Sequence, residues 1–246
     1  MAHYTKIQLC GQLVVRIDGR RVDGELPSRQ GRLAFAFLVL RRHRVVTKSV
    51  LADALWPVEH PPLVDAALNS LHSKLRKALG TEMLEARGGI RLALPDAWVD
   101  VEAASEAIHR AEGAVARRAW PEVWGPARVA LHIVRREFMP GESSPWIDDQ
   151  RHAHQHMELR ALECVAESSL ELGPSEHESA VRSGRDLVRL APNRESGYRL
   201  LIRALVAEGN DAEALRVYDE LRVRLREEFG IAPSSSTQDL YRTLLG

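Results

Sequence analysis

Long apolar runs, paired cysteines and catalytic signatures are all missing from this chain of 246 residues. No stretch of about 18 uncharged apolar residues occurs, which excludes a membrane-spanning helix. The N-terminal MAHYTKIQLC has no basic region leading into an apolar stretch and cleavage site, which argues against a secretory leader. A cytoplasmic protein without membrane association is expected. The two cysteines, Cys10 and Cys164, lie far apart in different periodic segments. They suggest neither a disulfide framework nor a paired metal motif, and read as small buried hydrophobes. Nucleophile-elbow, phosphate-loop and zinc-protease patterns are absent, and pairs such as Asp148-Asp149 or Glu227-Glu228 read as solvated faces, so no enzyme and no cofactor are expected. His152 and His156 stand one helical turn apart around His154, but no cysteine or second spaced pair completes a site, and no metal is expected.

Lysine is scarce too, and its placement is informative. All four lysines (Lys6, Lys48, Lys74, Lys77) precede residue 80. Residues 1–95 hold 15 Lys and Arg against 8 Asp and Glu, a net charge of +7, whereas the remainder holds 19 against 26, a net charge of −7. The overall charge of zero therefore conceals one half suited to a polyanion and one that is not. The length suits two domains with separate cores.

The first half mixes strands with short helices. Lys6 to Cys10 and Leu13 to Ile17 are β-prone runs separated by Gly11, and Asp18-Gly19 is a hairpin signal leading into Arg21-Val22. Ser28 is the expected cap of a helix through Leu33, Phe35, Phe37, Leu38 and Leu40, dense enough in apolar residues to imply deep burial. Arg41, Arg42 and Arg44 crowd its C-terminal end. Thr47 is a second N-cap candidate, for a helix from Ser49 to Leu55 that Pro57 stops. A third helix is expected from about Pro62 to Leu79, ended by Gly80. At about 100° per residue, Val64, Leu68, Leu71, Leu75 and Leu79 share one face, and Asn69, Ser70, Ser73 and Lys77 the other, with Lys74 and Arg76 at its flanks. Met83 to Ala86 and Ile90 to Leu94 are β-prone runs joined across Arg87-Gly88-Gly89, a hairpin with arginine at its tip.

Beyond Val99 no strand signal appears. Amphipathic helices are punctuated at Trp120-Pro121, Pro140-Gly141, Gly173-Pro174, Ala191-Pro192 and Gly230 to Pro233. An offset of 34 residues aligns Ala180 with Ala214, Val181 with Leu215 and Leu187 with Leu221, the period of the tetratricopeptide repeat. Tyr198, Leu201, Gly209, Ala214 and Tyr218 then take repeat-like positions, and Trp124 to Val134 is a candidate degenerate copy. Trp120, Trp124, Trp146, Tyr198 and Tyr218 read as repeat-core packing.

A strand-rich start, three helices ending in LHSKLRKALG and a hairpin GGIRL together resemble the winged-helix effector domain of OmpR-type response regulators. The continuation VDVEAASEAI, then PWIDDQRHAHQHMELRALECVAE and ALRVYDELRVRLREEFGIAPSSSTQDLYRTLL, resembles the bacterial transcriptional activator domain of the SARP regulators (Streptomyces antibiotic regulatory proteins). The wing has Ile90 where many such domains carry an aromatic residue. The resemblance implies an α+β winged helix-turn-helix N-terminal domain (1–97) followed by an all-α TPR-like helical repeat domain (98–246). It further implies a small family member, without a receiver domain or the ATPase, sensor or phosphopeptide-binding extensions of larger relatives. The implied activity is that of an activator binding repeats in double-stranded promoter DNA, as a homodimer at least on DNA, and recruiting RNA polymerase holoenzyme including its sigma factor. The concave face of the helical domain is a possible small-molecule site, and the alternative function is a TPR-like adaptor or small-molecule sensor whose winged helix does not bind DNA.

Candidate DNA-binding residues follow from both readings. Asn69, Ser70 and Ser73 are short hydrogen-bonding side chains suited to base edges or phosphates, and Lys74, Arg76 and Lys77 suit backbone phosphate. Arg29 and Arg32 near one helix start, and Thr47 at another, are candidate phosphate clamps because free amides and the helix dipole favour anions there. Arg87 and Arg91 on the hairpin are candidates for phosphate or minor-groove contact.

Overall fold

The computed structural model of the chain describes residues 5–85, 88–94 and 96–245. They fall into two compact units, one comprising the chain up to Ala103 with Arg136–Ala153, the other Ala104–Arg135 with the chain from His154 onward.

The first unit runs β1 (Lys6–Gln8), β2 (Val14–Ile17), β3 (Arg20–Arg21), α1 (Ser28–Val39), α2 (Lys48–Leu55), α3 (Val64–Leu79), β4 (Leu84–Glu85), β5 (Arg91–Leu92) and β6 (Trp98–Val99). One sheet has the order β3-β2-β1-β6, with β1 and β2 antiparallel and β6 parallel to β1. Its buried face is set by alternation, Ile7 facing Val15 in register with both fully buried. Asp18 and Gly19 both take positive φ (51° and 82°), which a tight two-residue hairpin between β2 and β3 requires. The second sheet is the hairpin β4–β5.

Eight of the twelve residues of α1 are buried, as its apolar density predicts. Its start differs from expectation. Pro27 holds the cap position, Ser28 is the first helical residue at φ 50°, and no side chain caps the helix. Thr47 does cap α2, its hydroxyl accepting from the Val50 amide at 3.4 Å. Gly80, at φ 113°, ends α3.

Two features of this unit depend on residues remote in sequence. Asp100, fully buried, accepts hydrogen bonds from the amides of Leu9 (2.9 and 3.0 Å), Cys10 (2.9 Å) and Val101 (2.9 Å), and burial raises its pKa. In 136–153, the Met139 amide donates to Leu9 O at 2.9 Å and the Gly11 amide to Glu137 O at 2.7 Å. Trp146 stands edge-on to Phe37 and Phe138 and donates its indole N–H to Ala54 O at 3.1 Å. It is therefore not part of the repeat core expected for it.

Helices α4 (Asp100–Ala116), α5 (Trp120–Val134), α6 (Pro145–Leu172), α7 (His177–Leu190), α8 (Glu195–Ala207), α9 (Asp211–Phe229) and α10 (Ser235–Leu244) account for the rest, and the second unit takes α4 from Ala104 and α6 from His154. The breaks coincide with the proline and glycine punctuation. Successive helices from α7 to α10 pack on one another around Ala180, Tyr198, Leu201, Leu205, Ala214, Tyr218 and Leu221. The 34-residue offset thus superposes core on core: Ala180 and Ala214 are both fully buried, and so are Leu187 and Leu221 to within 1%. Gly184 allows the α7–α8 approach, since a Cβ there would lie 2.8 Å from Leu201 Cα. Trp124 is 44% exposed under the Arg128 guanidinium, a surface position rather than the core one expected.

Candidate nucleic-acid interface

Helix α3 packs on α1 and α2 through Leu68, Leu71, Leu75, Ala78 and Leu79. Burial of that stripe fixes the rotation of the helix and turns the opposite face outward. Asn69, Ser70, Ser73, Lys74, Arg76 and Lys77 are all exposed, on the face that the periodicity assigns them. Among the described residues, Lys74, Arg76 and Lys77 form no ion pair. Their charge is uncompensated, and a polyanion would find it so.

The start of α2 lies beside this face. Thr47 is exposed at the cap, and Lys48, the next residue, reaches α3, where its ammonium donates to Asn69 Oδ1 at 3.0 Å and stands 3.7 Å from Asp65 Oδ1. Lys48 escaped the sequence reading of the site. Its signal was there, in the scarcity of lysine and its place immediately after a capping threonine.

The β4–β5 hairpin completes the surroundings. The amides of Val46 and Ile90 exchange hydrogen bonds with each other's carbonyls at 2.8 and 2.7 Å, pinning the hairpin to the segment before α2. Gly89 is needed for this approach, because a Cβ there would lie 2.6 Å from Val46 O. Ile90, in the place of an expected aromatic, is 5% exposed. Lys48, Leu68, Asn69, His72, Gly88, Gly89 and Ile90 line a cavity of about 420 Å³ between hairpin, α2 and α3. Burial lowers the His72 pKa, and Arg76 and Lys48 lower it further.

The other predicted cations are placed differently. Arg29 donates to Glu142 Oε2 at 2.7 Å and Arg32 lies 3.4 Å from Glu142 Oε1, so a single carboxylate holds both, on α1 rather than beside α3. Arg91 donates twice to its cross-strand partner Glu85, at 2.6 and 3.1 Å. Arg87 lies outside the described residues. Arg42, one of the arginines crowded beyond the C-terminal end of α1, makes a two-point contact with Glu102 at 2.6 and 2.9 Å and donates to Leu94 O. His152 and His156 are exposed whereas His154, between them, is buried, so the three do not converge.

Comparison with known proteins gives this geometry its context. Residues 99–245 match the Bacterial transcriptional activator domain. This chain belongs to that family, the SARP transcriptional regulators. The regulatory protein AfsR of Streptomyces coelicolor is 32% identical to this SARP protein over 228 residues, covering 91% of this chain and 23% of AfsR. The transcriptional regulatory protein EmbR of Mycobacterium tuberculosis (strain H37Rv) is 27% identical over 252 residues, covering 96% of this chain and 62% of EmbR. The regulatory protein DnrI of Streptomyces peucetius is 24% identical over 253 residues, covering 98% and 92%. The SARP chain thus spans about a quarter of AfsR and under two thirds of EmbR. The solved structure of M. tuberculosis EmbR in complex with a low-affinity phosphopeptide is similar with a TM-score of 0.85 at 24% identity, covering 98% of this chain and 65% of that one, which shows a shared fold: a small N-terminal sheet region and a helical repeat domain.

Proposed function

We propose that the chain is a sequence-specific DNA-binding transcriptional activator acting in the cytoplasm. Residues 1–97 act as a winged helix-turn-helix, with α2 and α3 as the helical pair, α3 as the recognition helix in the major groove and β4–β5 as the wing. Residues 98–246 act as the TPR-like activator domain. The protein binds promoter repeats as a homodimer and recruits RNA polymerase holoenzyme through contacts that include the sigma factor. None of the described helices is long and apolar enough to cross a membrane.

The observation that carries the proposal is the outward face of α3, six exposed polar or basic residues whose three cations have no carboxylate partner among the described residues. Phosphate contacts provide most non-specific affinity and make it salt-dependent. Arg29, Arg32 and Arg91, already paired with Glu142 and Glu85, offer less to phosphate and take secondary roles. Thr47 and Lys48 place the α2 N-terminus next to the backbone.

Replacing Lys74, Arg76 and Lys77 together with alanine tests the assignment. The slope of log affinity against log salt is expected to become shallower by about 3, one for each lost phosphate contact. Unchanged affinity and slope for promoter DNA would remove α3 from the interface.

A further inference from the structure

The contact between Lys48 and Asn69 bears on which base α3 reads. An ammonium has three donors and no acceptor, so the Asn69 atom it faces at 3.0 Å is the carbonyl oxygen, and the amide orientation is fixed by chemistry. Asp65, one turn before Asn69 on α3, also lies near this ammonium, its Oδ1 at 3.7 Å. Lys48 is itself fixed at the first position of α2, behind the Thr47 cap.

An asparagine reads adenine by accepting from N6 and donating to N7. Here one lone pair of the accepting oxygen is already engaged by a cation, and an adenine amino group using the other would have to approach that cation as well. Two amide N–H donors remain. Guanine presents N7 and O6, both acceptors, and thymine presents O4. We propose that Lys48 is a positioning residue for specificity: by engaging the Asn69 oxygen and holding a cation beside it, it biases Asn69 toward donating, which favours guanine over adenine. This rests on α3 being the recognition helix.

The test is selection of binding sequences from a randomised duplex library by the full chain and three variants, Asn69→Ala, Lys48→Met and Lys48→Arg, followed by measured affinities for the four bases at each position. Asn69→Ala is expected to erase preference at one position, which identifies the base it reads. There the unmodified protein prefers guanine to adenine by about tenfold, within what one good pair of base contacts supplies. Lys48→Met, which frees the Asn69 oxygen, gains adenine at that position, whatever it loses in total affinity. Lys48→Arg, also donor-only, keeps guanine. Preference for adenine in the unmodified protein, an identical profile in Lys48→Met, or an Asn69→Ala profile unchanged everywhere would each overturn the assignment. Failure of the unmodified protein to enrich any sequence would instead overturn the DNA-binding reading itself.

Discussion

His154 is 3% exposed, and burial pulls its pKa down from the ordinary 6.5 to about 4. The unfolded chain therefore takes up a proton at this residue between pH 6.5 and pH 4 that the folded chain refuses, so stability falls as pH drops through that window. At pH 5 the loss amounts to about 2 kcal/mol. Urea melts at pH 7 and pH 5 check this: the decrease is expected to be about 2 kcal/mol smaller in His154→Leu, and equal decreases would contradict it. The same residue shows what sequence reading does and does not reach. Spacing puts His152 and His156 on one side of a helix, but that His154 is buried depends on which face α6 presents to its own unit. Likewise the pairing of Lys48 with Asn69 requires α2 and α3 to be already packed, and no periodicity within either helix reveals it.

At the scale of elements, contacts made without side-chain volume are the sensitive ones. Gly184→Ala would place a Cβ 2.8 Å from the Leu201 Cα, so α7 and α8 must move apart, at a cost of about 2 kcal/mol. A lowered urea midpoint with an unchanged slope is the expected result; no change in midpoint would mean the helix pair has slack. Helix ends were legible because glycine, proline and Thr47 punctuate locally, and the buried stripe of α3 was legible because it repeats every three to four residues. The start of α1 was not. Ser28 has the chemistry of a cap, but Pro27 precedes it, and Ser28 takes a left-handed φ inside the first turn.

For the whole molecule, the two halves differ in charge as well as architecture, and that difference was legible in composition alone. The grouping of residues 136–153 with the first unit was not, because Gly11 and Glu137, or Arg29 and Glu142, are more than a hundred residues apart and no local pattern links them. That grouping decides the placement of two predicted phosphate clamps: the single Glu142 carboxylate already engages both Arg29 and Arg32, whereas Lys74, Arg76 and Lys77 on α3 form no ion pair among the described residues. Replacing Glu142 with glutamine frees both arginines, and non-specific DNA affinity in low salt is expected to rise by about threefold with a slightly steeper salt slope; unchanged binding would mean that neither arginine lies within reach of DNA.

The central claim is that this chain recognises a DNA sequence. Its most direct test is fluorescence-anisotropy titration of the chain against the intergenic DNA upstream of its own gene and against a scrambled duplex, over a series of salt concentrations. The account predicts preference for the native sequence by about 10³-fold or more, with affinity falling steeply as salt rises. Absence of binding to either duplex at low salt would contradict it.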